Sequence, residues 1–203
     1  DYRSPWMDDE LEMFRDAARR FVENEIVPND ARWREQHHVD RELWNKAGEI
    51  GLLCTDIPAE YGGVGGDARH EAVVCEEMGR RGITSFGHTV HSILAHYVLN
   101  YGSEEQKHDW LPRMASGELV GAIAMTEPGA GSDLQAVKTR AMREGDHYVI
   151  NGAKTFISNG LHAGLVGVVA KTDPAKGSKG ISIIMVETKY LEGYRVGRVL
   201  DKI

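Results

Sequence analysis

A glycine-rich stretch in the second half of the chain could bind a charged or polarised group. Residues 124–133 read Ala-Met-Thr-Glu-Pro-Gly-Ala-Gly-Ser-Asp and lie between two predicted strands. A loop so rich in glycine can turn its backbone N–H groups toward one point, and the hydroxyls of Thr126 and Ser132 add further donors. The stretch therefore suits a diphosphate or a polarised carbonyl group, although a tight turn without a ligand explains the same residues equally well.

Two further features could be mistaken for functional sites. Glu127 lies inside the glycine-rich stretch, but we expect neighbouring backbone N–H groups to satisfy its carboxylate. Residues 60–67 contain four glycines, yet no Lys-Ser or Lys-Thr follows them and no strand precedes them. Both features are therefore interpreted as structural, the second as a turn.

The histidines show no spacing typical of a metal site. His88, His91 and His96 could share one face of a helix, and residues 37–38 form a His-His pair. Neither group is accompanied by cysteine or carboxylate ligands at the spacing of a metal site. We expect no metal site in this chain.

Composition identifies a folded globular protein and excludes several classes. Of the 203 residues, 41% are hydrophobic and 27% are charged. The net charge of −7 argues against a nucleic-acid-binding protein. No apolar run approaches the roughly 20 residues that span a membrane. Because Cys54 and Cys75 form no disulfide framework, we expect a soluble protein of the cytoplasm or the mitochondrial matrix.

Acidic and basic residues are unevenly distributed between the two halves. Residues 1–118 carry 23 acidic and 13 basic side chains, whereas residues 119–203 carry 8 and 11. Phosphorylated ligands are therefore more favourably bound by the second half.

The apolar pattern also changes near residue 118. Before it, three- and four-residue spacing predicts helices near residues 8–27, 40–50, 68–79, 84–101 and 103–115, with Pro28 ending the first and Ser103 capping the last. After it, β-branched runs predict strands at residues 119–125, 134–142, 147–150, 154–158, 165–170, 181–186 and 194–200. The predicted fold class is α+β with two domains: an N-terminal all-α helical bundle, residues 1–118, and a β-sandwich or barrel-like middle domain, residues 119–203.

The connections in the second half carry turn signals. Asn151-Gly152 predicts a two-residue hairpin turn, and Glu144-Gly145-Asp146 predicts another. Residues 173–180, rich in Pro, Gly, Ser and Lys, are expected to form an exposed loop.

Two of these stretches resemble the signatures of the acyl-CoA dehydrogenase family. Residues 126–133, followed by the small residue Ala136, are similar to the family's first flavin segment. Residues 151–160, Asn-Gly-Ala-Lys-Thr-Phe-Ile-Ser-Asn-Gly, are similar to its second. The helical half also matches, for instance at residues 51–53 and 61–63, and the stretches at 121–125 and 156–160 are most similar to the long-chain branch.

The resemblance implies an enzyme larger than this chain. Members have an N-terminal helical domain, a middle β-domain and a C-terminal four-helix domain, which we expect this sequence to lack, and they usually form homotetramers. They use FAD to oxidise acyl-CoA thioesters to trans-2-enoyl-CoA and pass the electrons to electron-transferring flavoprotein. The catalytic base of relatives is a Glu of the C-terminal domain. We therefore expect no catalytic residue here and an inactive chain if it is isolated.

The resemblance also implies binding residues. FAD would be lined by Ile123, Ala124, Met125, Thr126, Gly129, Ala130, Gly131, Ser132, Phe156, Ile157 and Ser158. Thr126 would bond the pyrimidine end of the flavin, Ser158 would donate to its N5 atom, and Phe156 would pack on the ring where many members have Trp. Ser132, Ser178 and Lys179 would border the acyl-CoA substrate.

Two alternatives to the dehydrogenase remain open at this point. The chain could belong to a relative with the same fold, such as an acyl-CoA oxidase or a nitroalkane oxidase. It could also be a non-catalytic or truncated module that binds FAD and acyl-CoA. The residues that separate these possibilities mostly lie outside the sequence.

Overall fold

The computed structural model describes residues 4–200, which divide into two compact units after Val120. The unit up to Val120 is helical, and the unit Gly121–Leu200 is built on a β-sheet. The predicted fold class, helices first and β-structure second, is confirmed. The predicted boundary after residue 118 lies two residues before the division.

The first unit is built from helices, several of which contribute to an apolar core. They are α1 (Asp9–Phe21), α2 (Val27–Gln36), α3 (Glu42–Glu49), α4 (Ala68–Arg80), α5 (His88–Tyr101) and α6 (Glu104–Ala115). The core lies among α1 to α4 and the segments that join them, and its buried residues include Leu11, Phe21, Ile26, Trp33, Leu43, Trp44, Leu53, Val73 and Met78. None of the helices in the described part of the chain has the length and apolar character needed to cross a bilayer.

Pro28 does not end the first helix, so that prediction is wrong. A π-helical turn, Val22–Ile26, follows α1, and α2 starts at Val27 with Pro28 in its first turn. Proline is tolerated in a first turn because the N–H group that it lacks has no partner there. The wider turn therefore lets the chain continue into a helix that the periodicity did not predict.

A side-chain cap fixes the start of α6. Ser103 accepts a hydrogen bond from the Gln106 backbone N–H at 3.2 Å, and the Gln106 side chain accepts one from the Ser103 N–H at 2.9 Å, which confirms the predicted cap of α6.

The glycine-rich run at residues 60–67 is a structural turn, as predicted. A Cβ on Gly63 would lie 2.1 Å from the Ile57 carbonyl oxygen, so this glycine is required by packing.

The strands of the second unit form one mixed sheet. They are β1 (Gly121–Ala124), β2 (Arg140–Glu144), β3 (His147–Asn151), β4 (Leu165–Lys171) and β5 (Ile181–Glu187). β4 pairs in parallel with β1, near its start, and with β2, at its end, and it pairs antiparallel with β5 along its whole length. β2 and β3 form an antiparallel hairpin.

Three predictions for this unit are wrong, and the strand predicted at residues 134–142 is displaced, because residues 134–136 form a 3-10 turn and β2 begins at Arg140. Residues 154–158 and residues 194–200 form no strand. Asn151 is the last residue of β3 and Gly152 begins a long loop, so Asn151-Gly152 is not a hairpin turn. A Cβ on Gly152 would lie 2.2 Å from the Thr139 hydroxyl oxygen, so this glycine serves close packing and not a turn.

Two turn predictions are confirmed. The turn at Gly145, with φ of 65°, joins β2 to β3. Residues 174–179 are exposed, and the segment Pro174–Gly180 forms 3-10 turns between β4 and β5.

Candidate functional site

The two stretches singled out in the sequence form loops that are bonded to each other. The first loop, residues 125–133, follows β1, and the second loop, residues 152–164, connects β3 to β4. The backbone N–H of Thr155 donates to the carbonyl of Thr126 at 2.9 Å. The ammonium of Lys154 donates to the carbonyl of Met125 and to the carboxylate of Glu127, each at 2.9 Å. The loops are therefore held in one fixed arrangement.

Glu127 is the centre of this arrangement, and its side chain is only 6% exposed. Its carboxylate accepts hydrogen bonds from the backbone N–H groups of Lys138 and Thr139 at 2.6 and 3.0 Å, as well as from the Thr139 hydroxyl and the Lys154 ammonium. The prediction that backbone N–H groups satisfy this carboxylate is confirmed. It is a structural group whose oxygen atoms already have donors.

The charge state of Glu127 follows from these contacts. Burial favours the neutral carboxyl, but the hydrogen bonds from Lys154, Thr139 and the backbone outweigh it. They lower the pKa of Glu127 from an ordinary 4.5 to about 2. The carboxylate is therefore ionised, and paired with Lys154, at any pH near neutrality.

The glycines of the first loop leave open space beside the backbone. Residues 127–130 form a tight turn in which the N–H groups of Glu127 and Ala130 donate to each other's carbonyls at 2.9 and 3.1 Å. A Cβ built on Gly129 or Gly131 would meet nothing within 4 Å, and neither residue has positive φ. The fold itself does not require glycine at these positions, whereas close approach of a ligand to the backbone would.

Phe156, in the second loop, combines an uncommon backbone conformation with an exposed ring. Its φ is 57° and 61% of its surface is accessible. Next to it, Ile157 packs on buried residues of β1 and β4. Asn159, with φ of 63°, donates its side-chain amide to the carbonyl of Gly121 at 3.1 Å. A bulky residue in the left-handed region costs about 1 to 3 kcal/mol and is typical of ligand-contacting segments.

The other predicted flavin residues differ in how they are placed. Ala124 and Ala130 are buried, so only their backbone atoms are available to a ligand. Ile123, Met125 and Thr126 are half-buried, and Met125 packs against the buried Val137 and Val169. The exposed positions of the predicted set are Gly129, Gly131, Ser132, Phe156 and Ser158.

Ser178 and Lys179, the predicted substrate residues, lie in the exposed turns after β4. β1 and β4 run parallel, and the pair Ala124 and Val168 places the first loop at the carboxyl ends of both strands. These turns therefore lie at the same end of the sheet as the first loop. The side chains of Ser178 and Lys179 are exposed.

Sequence reasoning gave no role to Lys154, which the structure places between the loops with 11% of its side chain exposed. The available signal was a pattern of charges. The first loop carries two acidic residues, Glu127 and Asp133, and Lys154 is the sole Lys or Arg of the second loop, residues 152–164. A single cation that faces an acidic residue of a neighbouring glycine-rich loop favours a buried pair.

The chain matches known families and proteins over most of its length. Residues 8–118 match the family described as acyl-CoA dehydrogenase, N-terminal domain, and residues 122–203 match acyl-CoA dehydrogenase, middle domain. The mitochondrial long-chain specific acyl-CoA dehydrogenase of Sus scrofa is 45% identical over 197 residues, which are 96% of this chain and 46% of that protein.

Solved structures agree with these matches. An acyl-CoA dehydrogenase from Geobacillus kaustophilus superposes with a TM-score of 0.88 at 43% identity, over 92% of this chain and 50% of that one. An acyl-CoA dehydrogenase from Bacillus anthracis, complexed with FAD, gives a TM-score of 0.82 at 36% identity, over 93% of this chain and 33% of that one. The chain spans about half of the first relatives it matches, 46% of the Sus scrofa protein and 50% of the Geobacillus chain.

We expect Glu127→Gln to destabilise the β-sheet unit by about 3 kcal/mol, because it leaves the Lys154 ammonium buried without its carboxylate. The lowered pKa of Glu127 stabilises the folded state fully above pH 4.5, and this stabilisation is lost as the pH falls toward about 2. The variant should therefore lose that part of the acid dependence. Denaturant unfolding between pH 7 and pH 2 measures both effects.

The matched control is Glu144→Gln, at an exposed position of β2 in the same unit. It should change stability by less than about 0.5 kcal/mol. Equal stability of the Glu127 and Glu144 variants at neutral pH would contradict the role assigned to the ion pair.

Proposed function

The chain belongs to the acyl-CoA dehydrogenase family, and we propose that it supplies the FAD cradle and part of the acyl-CoA site of an enzyme that converts acyl-CoA to trans-2-enoyl-CoA. The observation that carries this proposal is the joining of the first and second loops by Thr155, Thr126, Lys154 and Glu127. Each loop contains one of the stretches that resemble the family's flavin segments. Because the loops are bonded to each other, one flavin could contact both.

The residues present fit FAD in two respects. The open space beside Gly129 and Gly131 allows a ligand to approach backbone N–H groups that a side chain would cover. The exposed ring of Phe156 offers an apolar face for a planar heterocycle. An FAD-bound relative of the same fold supports this assignment.

We assign the cofactor contacts as the resemblance implies. When bound, FAD accepts the electrons and hydrogen removed from the acyl chain. Thr126 would hold the pyrimidine end of the flavin, Ser158 would donate a hydrogen bond to N5, and Phe156 would pack on the ring. The remaining lining residues would be Ile123, Ala124, Met125, Gly129, Ala130, Gly131, Ser132 and Ile157.

The same end of the sheet would border the substrate. Ser132 would lie beside the acyl thioester, and Ser178 and Lys179 would approach the coenzyme A portion, whose phosphates attract a lysine ammonium. No catalytic base is assigned within this chain. Glu127 is unsuitable because its oxygens are occupied by donors, and relatives place the base in their C-terminal domain.

The wider properties follow from the resemblance. Electrons would pass to electron-transferring flavoprotein, and the complete enzyme would be a homotetramer that acts in fatty acid β-oxidation. The compartment would be the bacterial cytoplasm or the mitochondrial matrix, and the Sus scrofa relative is described as mitochondrial.

The test uses the full-length enzyme that carries this chain. Purified protein should show flavin absorbance, and anaerobic addition of acyl-CoA should bleach it. Retained flavin without bleaching by acyl-CoA of any chain length would contradict the dehydrogenase and leave a binding module. Absence of flavin after reconstitution with FAD would contradict the cradle itself.

We expect Gly131→Ala to weaken FAD binding by about tenfold, because the added methyl group occupies the open space beside the loop. The stability of the flavin-free protein should change by less than about 0.5 kcal/mol, since the methyl group meets no protein atom. Fluorescence titration with FAD and thermal unfolding measure the two quantities. Gly197→Ala is the matched control, because a Cβ there also meets nothing within 4 Å. If the Gly197→Ala variant bound FAD as weakly as the Gly131→Ala variant, the assignment of Gly131 to the flavin site would be refuted.

We expect Ser158→Ala to slow flavin reduction by about tenfold while changing FAD affinity less, because a hydrogen bond to N5 matters most as that atom gains charge. Rapid-mixing absorbance at saturating acyl-CoA measures the reduction rate. Ser116→Ala, which removes an exposed hydroxyl in the helical unit, is the control. Identical reduction rates for the Ser158 variant and the parent would exclude this role.

A further inference from the structure

Three side chains with metal-binding atoms converge in the helical unit. Glu71 and Cys75 lie one turn apart on α4, and His88 is the first residue of α5. One ligand atom from each, a carboxylate oxygen, the thiol sulfur and an imidazole nitrogen, lie within 4.8 Å of one another. The set combines the three ligand types that zinc sites in proteins use.

The separations within this cluster are close to those around a tetrahedral zinc ion. Cys75 Sγ lies 3.6 Å from His88 Nε2, and Glu71 Oε1 lies 3.7 Å from the same nitrogen. With Zn–S of about 2.3 Å and Zn–N and Zn–O of about 2.0 to 2.1 Å, tetrahedral geometry gives an S···N separation of about 3.5 Å and an N···O separation of about 3.4 Å. Both separations to His88 are therefore within a few tenths of an ångström of the tetrahedral values, and the third separation, between the Cys75 sulfur and the Glu71 carboxylate, is at most 4.8 Å.

The histidine is oriented as metal-binding histidines usually are. His88 Nδ1 lies 3.3 Å from the carbonyl oxygen of Phe86, which can accept a hydrogen bond only from a protonated Nδ1. That bond leaves the lone pair on Nε2, the atom directed toward Cys75 and Glu71. The ring is 8% exposed, so its orientation is fixed by packing.

The carboxylate lacks a donor where a cation would lie. Glu71 Oε1 is buried and has no hydrogen-bond partner among the described residues. Its other oxygen accepts only a long bond, 3.4 Å, from the Thr55 hydroxyl. Nearby ionisable groups are Asp56, which repels the carboxylate, and His96, whose imidazole is bonded to Asp56 at 2.9 Å. A buried acceptor without a donor is costly, and a bound cation would offset that cost.

We propose that Glu71, Cys75 and His88 form a binding site for Zn²⁺, with a fourth position open to water. Cys75 is exposed, so the ion has a path from solvent. Binding would convert the thiol to a thiolate and release its proton to solvent. Every ligand lies in the helical unit, and none belongs to either of the two loops assigned to the flavin.

The sequence did not predict this site because its ligands come from two helices. Glu71 and Cys75 have the spacing of one helical turn, but His88 follows Cys75 by 13 residues, across a connection whose path only the fold determines. The histidine pattern grouped His88 with His91 and His96 on one helix face, and not with residues of α4. In the structure His91 is buried against Met114 and His96 is bonded to Asp56.

The test is cobalt and zinc binding to the chelator-treated full-length protein. Co²⁺ should produce a thiolate-to-cobalt charge-transfer band and the visible bands of tetrahedral cobalt, saturating at one ion per chain. Zn²⁺ should displace it, and competition with a chromophoric chelator gives the zinc affinity. We expect Cys75→Ser to abolish the charge-transfer band and both Cys75→Ser and Glu71→Gln to weaken zinc binding at least about tenfold.

The chain provides a matched control in its other cysteine. Cys54 Sγ also lies 3.6 Å from a histidine nitrogen, Nε2 of His91, but no carboxylate among residues 4–200 completes a cluster there. Cys54→Ala should keep the charge-transfer band, with folding checked by circular dichroism. If Cys54→Ala does not fold, the comparison of Cys75→Ser with the parent decides the question alone. A parent without the charge-transfer band, or a Cys75→Ser variant with unchanged zinc affinity, would overturn the proposal.

Discussion

The buried ion pair between Glu127 and Lys154 holds the candidate flavin site together. A buried pair stabilises a protein only if its remaining hydrogen-bonding atoms are satisfied. Here Glu127 also accepts bonds from two backbone N–H groups and one hydroxyl, and Lys154 also donates to the carbonyl of Met125. The pair therefore fixes the two loops, and the residues just before β2, relative to one another. Any ligand that contacts both loops depends on it.

This constraint explains how exposed loops can bind a cofactor with little loss of entropy. A loop that is ordered before binding avoids the ordering cost at the time of binding. The second loop is tied to the first at Thr155 and to β1 at Asn159, and between these two bonds it presents Phe156 in a left-handed conformation. The strain at Phe156 is offset by the packing of Ile157 on the sheet. The position of the exposed ring is therefore set by the neighbouring residues and not by the backbone conformation that Phe156 itself prefers.

The sequence predicted local features better than the relations between segments. The cap at Ser103 and the turn at Gly145 follow from residue types within a few positions, and both are confirmed. The satisfied carboxylate of Glu127 is also confirmed, although its backbone donors lie 11 and 12 residues further along the chain. Pro28 and Asn151-Gly152 were misread because tertiary context decides them: a π-helical turn accommodates the proline, and Thr139 packs where a side chain on Gly152 would lie. The bond between Thr126 and Thr155 joins backbone atoms, so no side-chain pattern could indicate it.

A buried carboxylate has many hydrogen-bond donors in the β-sheet unit but few in the helical unit. This difference concerns the cluster of Glu71, Cys75 and His88. Around Glu127 the donors outweigh the effect of burial and lower its pKa to about 2, so the group needs nothing from outside the chain. Burial, together with the nearby charge of Asp56, raises the pKa of Glu71 to about 7. Both Asp56 Oδ1 and Glu71 Oε1 are buried without a hydrogen-bond partner among the described residues. Native folds seldom leave such atoms unpaired. A bound cation would supply the missing positive charge beside Glu71, whereas the oxygen atoms of Glu127 already have donors.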